Sequence, residues 1–275
     1  MTQVAQKSSQ RRSEAAGSGV DTTSWDAAGP LHEAADLSRV SFKAVVFDLD
    51  GTLIDTEQFY RAAFHATARE FGVRMPADLY ATLVGLATSD RRPVLRRVFG
   101  SGFPVDEFIA AYYVQREAHL PARIPLCPGA AALLRRLNLP KAVATSASRR
   151  TALSRMKQAE LIDHFPHIAT RDDVRRGKPA PDTYLHAASL LGVAPAECLA
   201  VEDSSNGVTA AHRAGMRVAM VQAGKAQDTR SWCLAVVSRL DSLADLIGAC
   251  SARNRPQGSY VEYADMEGRP VTRIP

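Results

Sequence analysis

Apolar and polar positions follow two rhythms along this chain. Short apolar runs, rich in β-branched residues, predict strands buried on both faces of a parallel sheet. They are Lys43–Phe47, Lys141–Ser146, His167–Thr170, Cys198–Glu202, Arg217–Val221 and Leu234–Val237. Between them, apolar residues three and four apart predict helices over Glu57–Phe71, Ala77–Val84, Arg91–Phe99, Val105–Leu120, Gly129–Leu137, Arg149–Ala159, Pro181–Leu191, Asn206–Ala214 and Asp241–Ile247. Gly72, Gly192 and Gly215 close three of these helices, Gly215 as a left-handed stop. Strands alternating with helices predict an α/β fold built on a doubly wound parallel sheet.

One stretch breaks the rhythm. Gln58 to Cys127 holds helices only, broken at Pro76, Gly85, Gly100 and Pro104, whereas a crossover between parallel strands needs about a dozen residues. Residues 58–127 therefore read as an inserted helical subdomain that splits the sheet domain into 41–57 and 128–250. Residues 1–40 are polar and rich in Ser, Gly and Ala, and read as a disordered leader. They lack the apolar segment of a signal peptide, and Glu14, Asp21, Asp26 and Glu33 oppose a transit peptide. Residues 251–275 read as an irregular tail.

Composition narrows the class. With 46% apolar and 23% charged residues in 275, the chain has the balance of a soluble globular protein. No apolar run reaches the roughly 18–20 residues of a membrane span, so no membrane partner is expected. The 34 basic and 29 acidic residues leave a net charge of +5, scattered rather than patched. That speaks against a nucleic-acid partner and is compatible with small anionic ligands. Cys127, Cys198, Cys233 and Cys250 show no CxxC spacing and read as reduced, buried thiols of a cytoplasmic protein.

Candidate chemistry gathers after the predicted strands. The first strand runs into DLDG, placing Asp48 and Asp50 at its carboxyl end, where ligands bind in open α/β sheets. With a side-chain period of two, both carboxylates can face one spot, and their repulsion calls for a hard cation or a shared proton. Thr145 and Ser146 end the second strand, Lys178 sits in the loop GKPAPD, and Glu202 and Asp203 end the strand before SSNG. Singly, each has a plain alternative as a helix cap, a solvated loop residue or a turn. A calcium loop counted from Asp48 would need Gly at its sixth place and Glu at its twelfth, where this chain has Leu53 and Phe59. Together, the four groups predict one shared crevice.

DLDGTLIDTE, the Thr145–Ser146 pair, GKPAPD and VEDSSNG resemble, in order and spacing, the four motifs of the haloacid dehalogenase superfamily. The insertion after the first motif resembles its β-phosphoglucomutase and phosphatase branch, which implies a Rossmann-like core with a helical cap. The resemblance implies that Asp48 is a nucleophile forming an aspartyl phosphate and that Asp50 is a general acid and base. It implies Mg²⁺ held by Asp48, the backbone carbonyl of Asp50 and Asp203, with Glu202 beside it. Lys178 and either Thr145 or Ser146 would bind the phosphoryl group, and the amides around Leu49 to Gly51 could cradle its oxygens.

Departures from the family pattern refine the expectation. The presence of Asp50 opposes dehalogenation, and the lack of any lysine from Gln58 to Cys127 opposes Schiff-base hydrolysis of phosphonates. Tyr60 stands where the mutases carry a cap histidine, which favours hydrolysis over phosphomutase activity. The polar stretch GLATSDRRPV reads either as a solvated helix start with Ser89 or Asp90 as N-cap or, folded over the site, as the source of Arg91 and Arg92 for substrate specificity, while Tyr60 and Phe64 read as packing the cap against the core. The expected partner is a small phosphorylated metabolite, and the expected assembly is a monomer or weak homodimer. A non-enzymatic phospho-acceptor or binding module is the alternative of another class. Receiver modules also join an acidic cluster, a Ser or Thr and a Lys, but they place the acidic pair before the phosphorylated aspartate.

Overall fold

The computed structural model describes residues 41–83, 88–221, 229–251, 263–264 and 270–271. The leader expected over residues 1–40 lies outside them, as does most of the tail. In that tail, Tyr263–Ala264 pairs antiparallel with Pro270–Val271.

Six strands form one parallel sheet: β1 (Ala44–Phe47), β2 (Lys141–Ala144), β3 (His167–Ala169), β4 (Cys198–Glu202), β5 (Arg217–Val221) and β6 (Ala235–Val237). Their order is β3-β2-β1-β4-β5-β6. The chain steps from β1 to β2 on one side and later crosses to β4 on the other, so the sheet is doubly wound. β1 lies in the middle, at the point where the winding reverses, which is where open α/β sheets bind their ligands. Both faces are covered. Val45, Phe47, Val143 and Val201 point into one apolar cluster, and Ala44, Val46, Ala142 and Ala200 into the other. This two-sided burial is why the strands read as unbroken apolar runs rather than alternating ones.

Helices α1 (Glu57–Glu70), α2 (Leu79–Leu83), α3 (Thr88–Phe99) and α4 (Val105–His119) lie between β1 and the next core helix, α5 (Ala130–Arg136). They have an apolar cluster of their own around Phe64, Leu95 and Phe108. The Phe64 ring meets Phe108 at 5.3 Å and Tyr112 at 5.1 Å, joining α1 to α4. Phe64 thus packs within the helical unit rather than between that unit and the sheet.

The remaining helices are α6 (Arg149–Gln158), α7 (Asp182–Leu191), α8 (Ser205–Arg213) and α9 (Leu243–Ser251). Most ends fall within two residues of the sequence reading. α3 is an exception: it starts at Thr88, so Ser89 and Asp90 are helical residues rather than N-caps. Pro93 therefore lies inside the helix, a residue type that usually marks a first turn. The expected helix Ala77–Val84 is observed as Leu79–Leu83, and residues 84–87 lie outside the described residues. The last helix also starts later than expected, because a 3₁₀ turn spans Leu240–Ser242. Among the described residues, no helix is long and apolar enough to cross a membrane. All four cysteines are buried free thiols.

Candidate active site

The backbone of β1 delivers Asp48 directly against β4, where the Asp48 N–H donates to the Val201 carbonyl at 2.9 Å. The next two residues are Glu202, which ends β4, and Asp203. Oxygens of Asp48, Glu202 and Asp203 all lie within 4.8 Å of one another. Two glycines make this approach possible. Gly51 turns with φ +86°, and a Cβ there would run into Asp203 Oδ2. A Cβ on Gly207 would strike the Glu202 carboxylate, so the start of α8 can lie over that side chain only with glycine.

Lys178 closes the cluster. Its Nζ donates to Asp48 Oδ1 at 2.5 Å and to Glu202 Oε1 at 2.6 Å. The ammonium lies 4.9 Å from the centre of the Tyr184 ring, and the Tyr184 hydroxyl donates to Glu202 Oε1 at 2.9 Å. Glu202 is wholly buried. Its Oε2 accepts from the Asp203 N–H at 3.0 Å, the Ser204 N–H at 3.1 Å and the Ser204 hydroxyl at 3.0 Å. With five donors on two oxygens, Glu202 is the anchor that holds Lys178 and the β4–α8 turn. Asp203 is less committed, accepting from Thr52 Oγ1 at 3.3 Å.

Electrostatics follow from this crowding. Burial is the main force pushing the Asp48 carboxyl up to about 8; Lys178 opposes the shift and Glu202 adds to it. Burial, then Glu202 and Asp48, push Asp203 well above the ordinary carboxylate range. Burial alone would lower Lys178, but Asp48 and Glu202 reverse this and hold it above its usual value. Two strained carboxylates with oxygens in reach of one another suit a hard divalent cation, which prefers all-oxygen ligands. The residues present therefore fit Mg²⁺.

Asp50 is turned elsewhere. Its carboxylate is not part of the acidic cluster. Arg155 Nη1 donates to both its oxygens, at 3.0 and 2.8 Å, the Tyr60 hydroxyl donates to Oδ1 at 2.5 Å, and Thr56 Oγ1 donates to the same atom at 3.2 Å. The sequence reading had both aspartates facing one spot. A period of two fixes which side of a strand a residue leaves from, but DLDG turns at once, and the turn redirects the second carboxylate. The Gly51 N–H donates to the Ile54 carbonyl at 2.9 Å, so the turn itself uses this member of the expected amide cradle.

The other candidates divide. Thr145 is buried, its N–H donating to the Ala169 carbonyl of β3 at 2.9 Å, and its hydroxyl accepts from the Ala147 N–H at 3.1 Å, a turn-capping bond, while the adjacent Ser146 is exposed. Arg92 pairs with Asp106 at 2.6 Å, within the helical unit. Burial raises the Tyr112 hydroxyl, and the nearby charges of Arg116 and Arg91 only oppose that shift. The structure does not bring either arginine into the acidic cluster.

Sequence reasoning passed over Arg155, Arg116, Glu117 and the Tyr60 hydroxyl. Arg155 is 4% exposed and sits on the buried face of α6 with Ala152 and Met156. An arginine in step with apolar residues of a helix demands a buried anion, and that was the available signal. The Arg116 guanidinium lies 3.6 Å from the centre of the Tyr60 ring. Tyr60 is buried as expected of a packing residue, yet its polar end reaches Asp50. Burial first, and then Asp50, keep its hydroxyl protonated.

In sequence and in fold, the chain is similar to known hydrolases. The profile of the haloacid dehalogenase-like hydrolases matches residues 42–215. Hexitol phosphatase A of Escherichia coli is 39% identical over 189 residues, 66% of this chain and 83% of that protein. Protein CbbY of Rhodobacter capsulatus is 38% identical over 195 residues, 66% of this chain and 86% of that protein. The crystal structure of CbbY from Rhodobacter sphaeroides in complex with phosphate superimposes with a TM-score of 0.62 at 27% identity, covering 74% of this chain and 96% of that one.

Proposed function

Starting from a chain that belongs to the haloacid dehalogenase-like hydrolase family and is a phosphoric monoester hydrolase, we propose a Mg²⁺-dependent phosphatase of a small phosphorylated metabolite. The substrate is a sugar phosphate or similar phosphomonoester, and the reaction runs through an aspartyl phosphate. The observation that carries this reading is the convergence of Asp48, Lys178, Glu202 and Asp203, the first two 130 positions apart in sequence and 2.5 Å apart in space.

Asp48 is the nucleophile. Its carboxylate oxygen bonds to phosphorus while the ester P–O bond breaks, and the leaving oxygen takes a proton from Asp50. Water then attacks the aspartyl phosphate, Asp50 accepts its proton, and the Asp48 carboxylate is released with inorganic phosphate. Lys178 is fixed by Glu202 as a point charge beside Asp48, so it can exchange that partner for phosphoryl oxygens. Ser146, or Thr145 at the cost of its turn bond, donates a hydroxyl to the same group. Asp48, Asp203 and the Asp50 carbonyl, with Glu202 beside them, would hold Mg²⁺, which supplies the charge neutralisation an anionic nucleophile needs to approach a phosphate.

The four-helix unit is the cap, residues 58–127, inserted into a core of 41–57 and 128–250. It stands on the Asp50 side and shields the intermediate from bulk water. Hydrolysis is preferred to phosphomutase activity because Tyr60, held protonated, can donate to Asp50 but cannot take a proton from a second sugar hydroxyl. The protein works in the cytoplasm on a small soluble ester.

The test is phosphate release from a panel of phosphorylated metabolites with Mg²⁺. Turnover should be repeated, and Asp48→Asn should lower it by on the order of 10⁴-fold or more, the scale of losing a nucleophile. A single stoichiometric burst from the wild-type protein, or full activity in Asp48→Asn, would refute the proposal.

A further inference from the structure

Among the described residues, Arg155 is the least exposed arginine, with a side chain 5% exposed. Its two terminal nitrogens serve different parts of the molecule. Nη1 grips both oxygens of Asp50, on the loop after β1. Nη2 donates to Glu117 Oε1 at 2.5 Å, on α4 of the helical unit. The guanidinium is planar, so orienting one nitrogen orients the other. Tyr60, packed under Arg116, completes the hold on Asp50 from α1. A side chain from core helix α6 thus ties the Asp50 carboxylate to the helical unit.

We infer that Arg155 is a positioning residue for Asp50. The inference rests on the proposed role of Asp50 in breaking down the aspartyl phosphate. Asp50 points away from the Asp48–Glu202–Asp203 cluster and toward the helical unit. That is the side from which water must approach phosphorus in line with the Asp48 oxygen it displaces. A carboxylate there is useful only in the orientation that meets the water. Left alone it would rotate, and Arg155 fixes both of its oxygens at once. Through Glu117, the hold also depends on where the helical unit sits, so the orientation of the base is set jointly by core and cap. In the step concerned, a water oxygen bonds to phosphorus, its proton passes to Asp50, and the phosphorus–Asp48 bond breaks with its electron pair returning to the Asp48 carboxylate.

The experiment is pre-steady-state hydrolysis of p-nitrophenyl phosphate with Mg²⁺, whose leaving group departs readily and leaves the second step exposed. Arg155→Met should release about one p-nitrophenol per enzyme in a burst, then turn over roughly 10- to 100-fold more slowly than wild type, part of the roughly 10²–10⁴ that a general base contributes. Arg155→Lys, which keeps the charge against Asp50 and loses the fork, should show the same burst with a smaller loss. Because Arg155 acts through Asp50, Asp50→Asn combined with Arg155→Met should be no slower than Asp50→Asn alone. A burst and a steady-state rate that fall in the same proportion would mean that Arg155 only supports folding, and would overturn the inference. So would unchanged kinetics in both Arg155 variants, or an added loss in the double variant. The underlying reading fails separately, by Asp50→Asn turning over at the wild-type rate.

Discussion

Asp48 and Asp50 stand two residues apart and are held by different kinds of structure. Asp48 is placed by backbone: β1 and β4 run side by side, and the Asp48 N–H is bonded into the ladder. Its cation, Lys178, is locked from the far side by Glu202 and Tyr184, so every member of that group belongs to the α/β core. Asp50 is placed by long side chains, from α6 and from the first helix of the inserted unit. The first arrangement can change only if the sheet does. The second depends on side chains of both the core and the helical unit. The proposed two-step reaction would use both, with Asp48 as a nucleophile that stays where it is and Asp50 as a proton carrier that serves first the leaving oxygen and then water.

The comparison can be broken most forcibly at Lys178. Its side chain is 4% exposed between two carboxylates, so Lys178→Met leaves buried negative charge uncompensated. We expect a loss of about 3–5 kcal/mol of folding stability, measured by urea unfolding, as for removal of one partner of a buried pair. Mg²⁺ should partly restore it by taking over the neutralising role.

The acidic cluster also sets a pH dependence of stability. Because the Asp48 carboxyl is pushed up to about 8 and Asp203 shifts the same way, the folded protein binds protons that the unfolded chain has released above about 4. With EDTA present, stability should therefore fall as pH rises from about 4 to about 8. Mg²⁺ binds the ionised carboxylates, so its stabilising effect should grow over the same window, reaching about 2.7 kcal/mol at 100 times its dissociation constant. Thermal unfolding with Mg²⁺ or EDTA at several pH values checks the sign; a Mg²⁺ shift that shrinks toward high pH would contradict it.

The smallest effect belongs to the link between the regions. Glu117 is 54% exposed, and Glu117→Gln should cost no more than about 1 kcal/mol of stability. Since Arg155 keeps its grip on Asp50, steady-state hydrolysis should fall less than in Arg155→Lys. An equal or larger fall would show that the cap, and not Arg155, orients the base.

The same contrast explains what was legible in the chain. Two-sided burial writes strands as apolar runs, and parallel pairing puts their carboxyl ends at one edge, so Asp48, Glu202 and Asp203 could be grouped without coordinates. Lys178, on its own readable as a solvated loop residue, was legible only because GKPAPD stands in order with the other three motifs of the family it resembles. The orientation of Asp50 was not, since it depends on a turn and on side chains arriving from helices whose packing no periodicity specifies. Arg155 was hidden among the scattered basic residues, although its step with Ala152 and Met156 marked it as buried. Arg92, a candidate for substrate specificity, meets Asp106 on the next helix along the chain.

The central claim is that the carboxylate of Asp48 takes up phosphorus. The most direct measurement is peptide mapping of Asp50→Asn protein, acid-quenched during hydrolysis of a phosphomonoester with Mg²⁺, since this variant should release the intermediate slowly. The account predicts a phosphoryl group on Asp48, lost when hydroxylamine is added. Phosphate attached to any other residue, or turnover with no covalent phosphate at all, would contradict it.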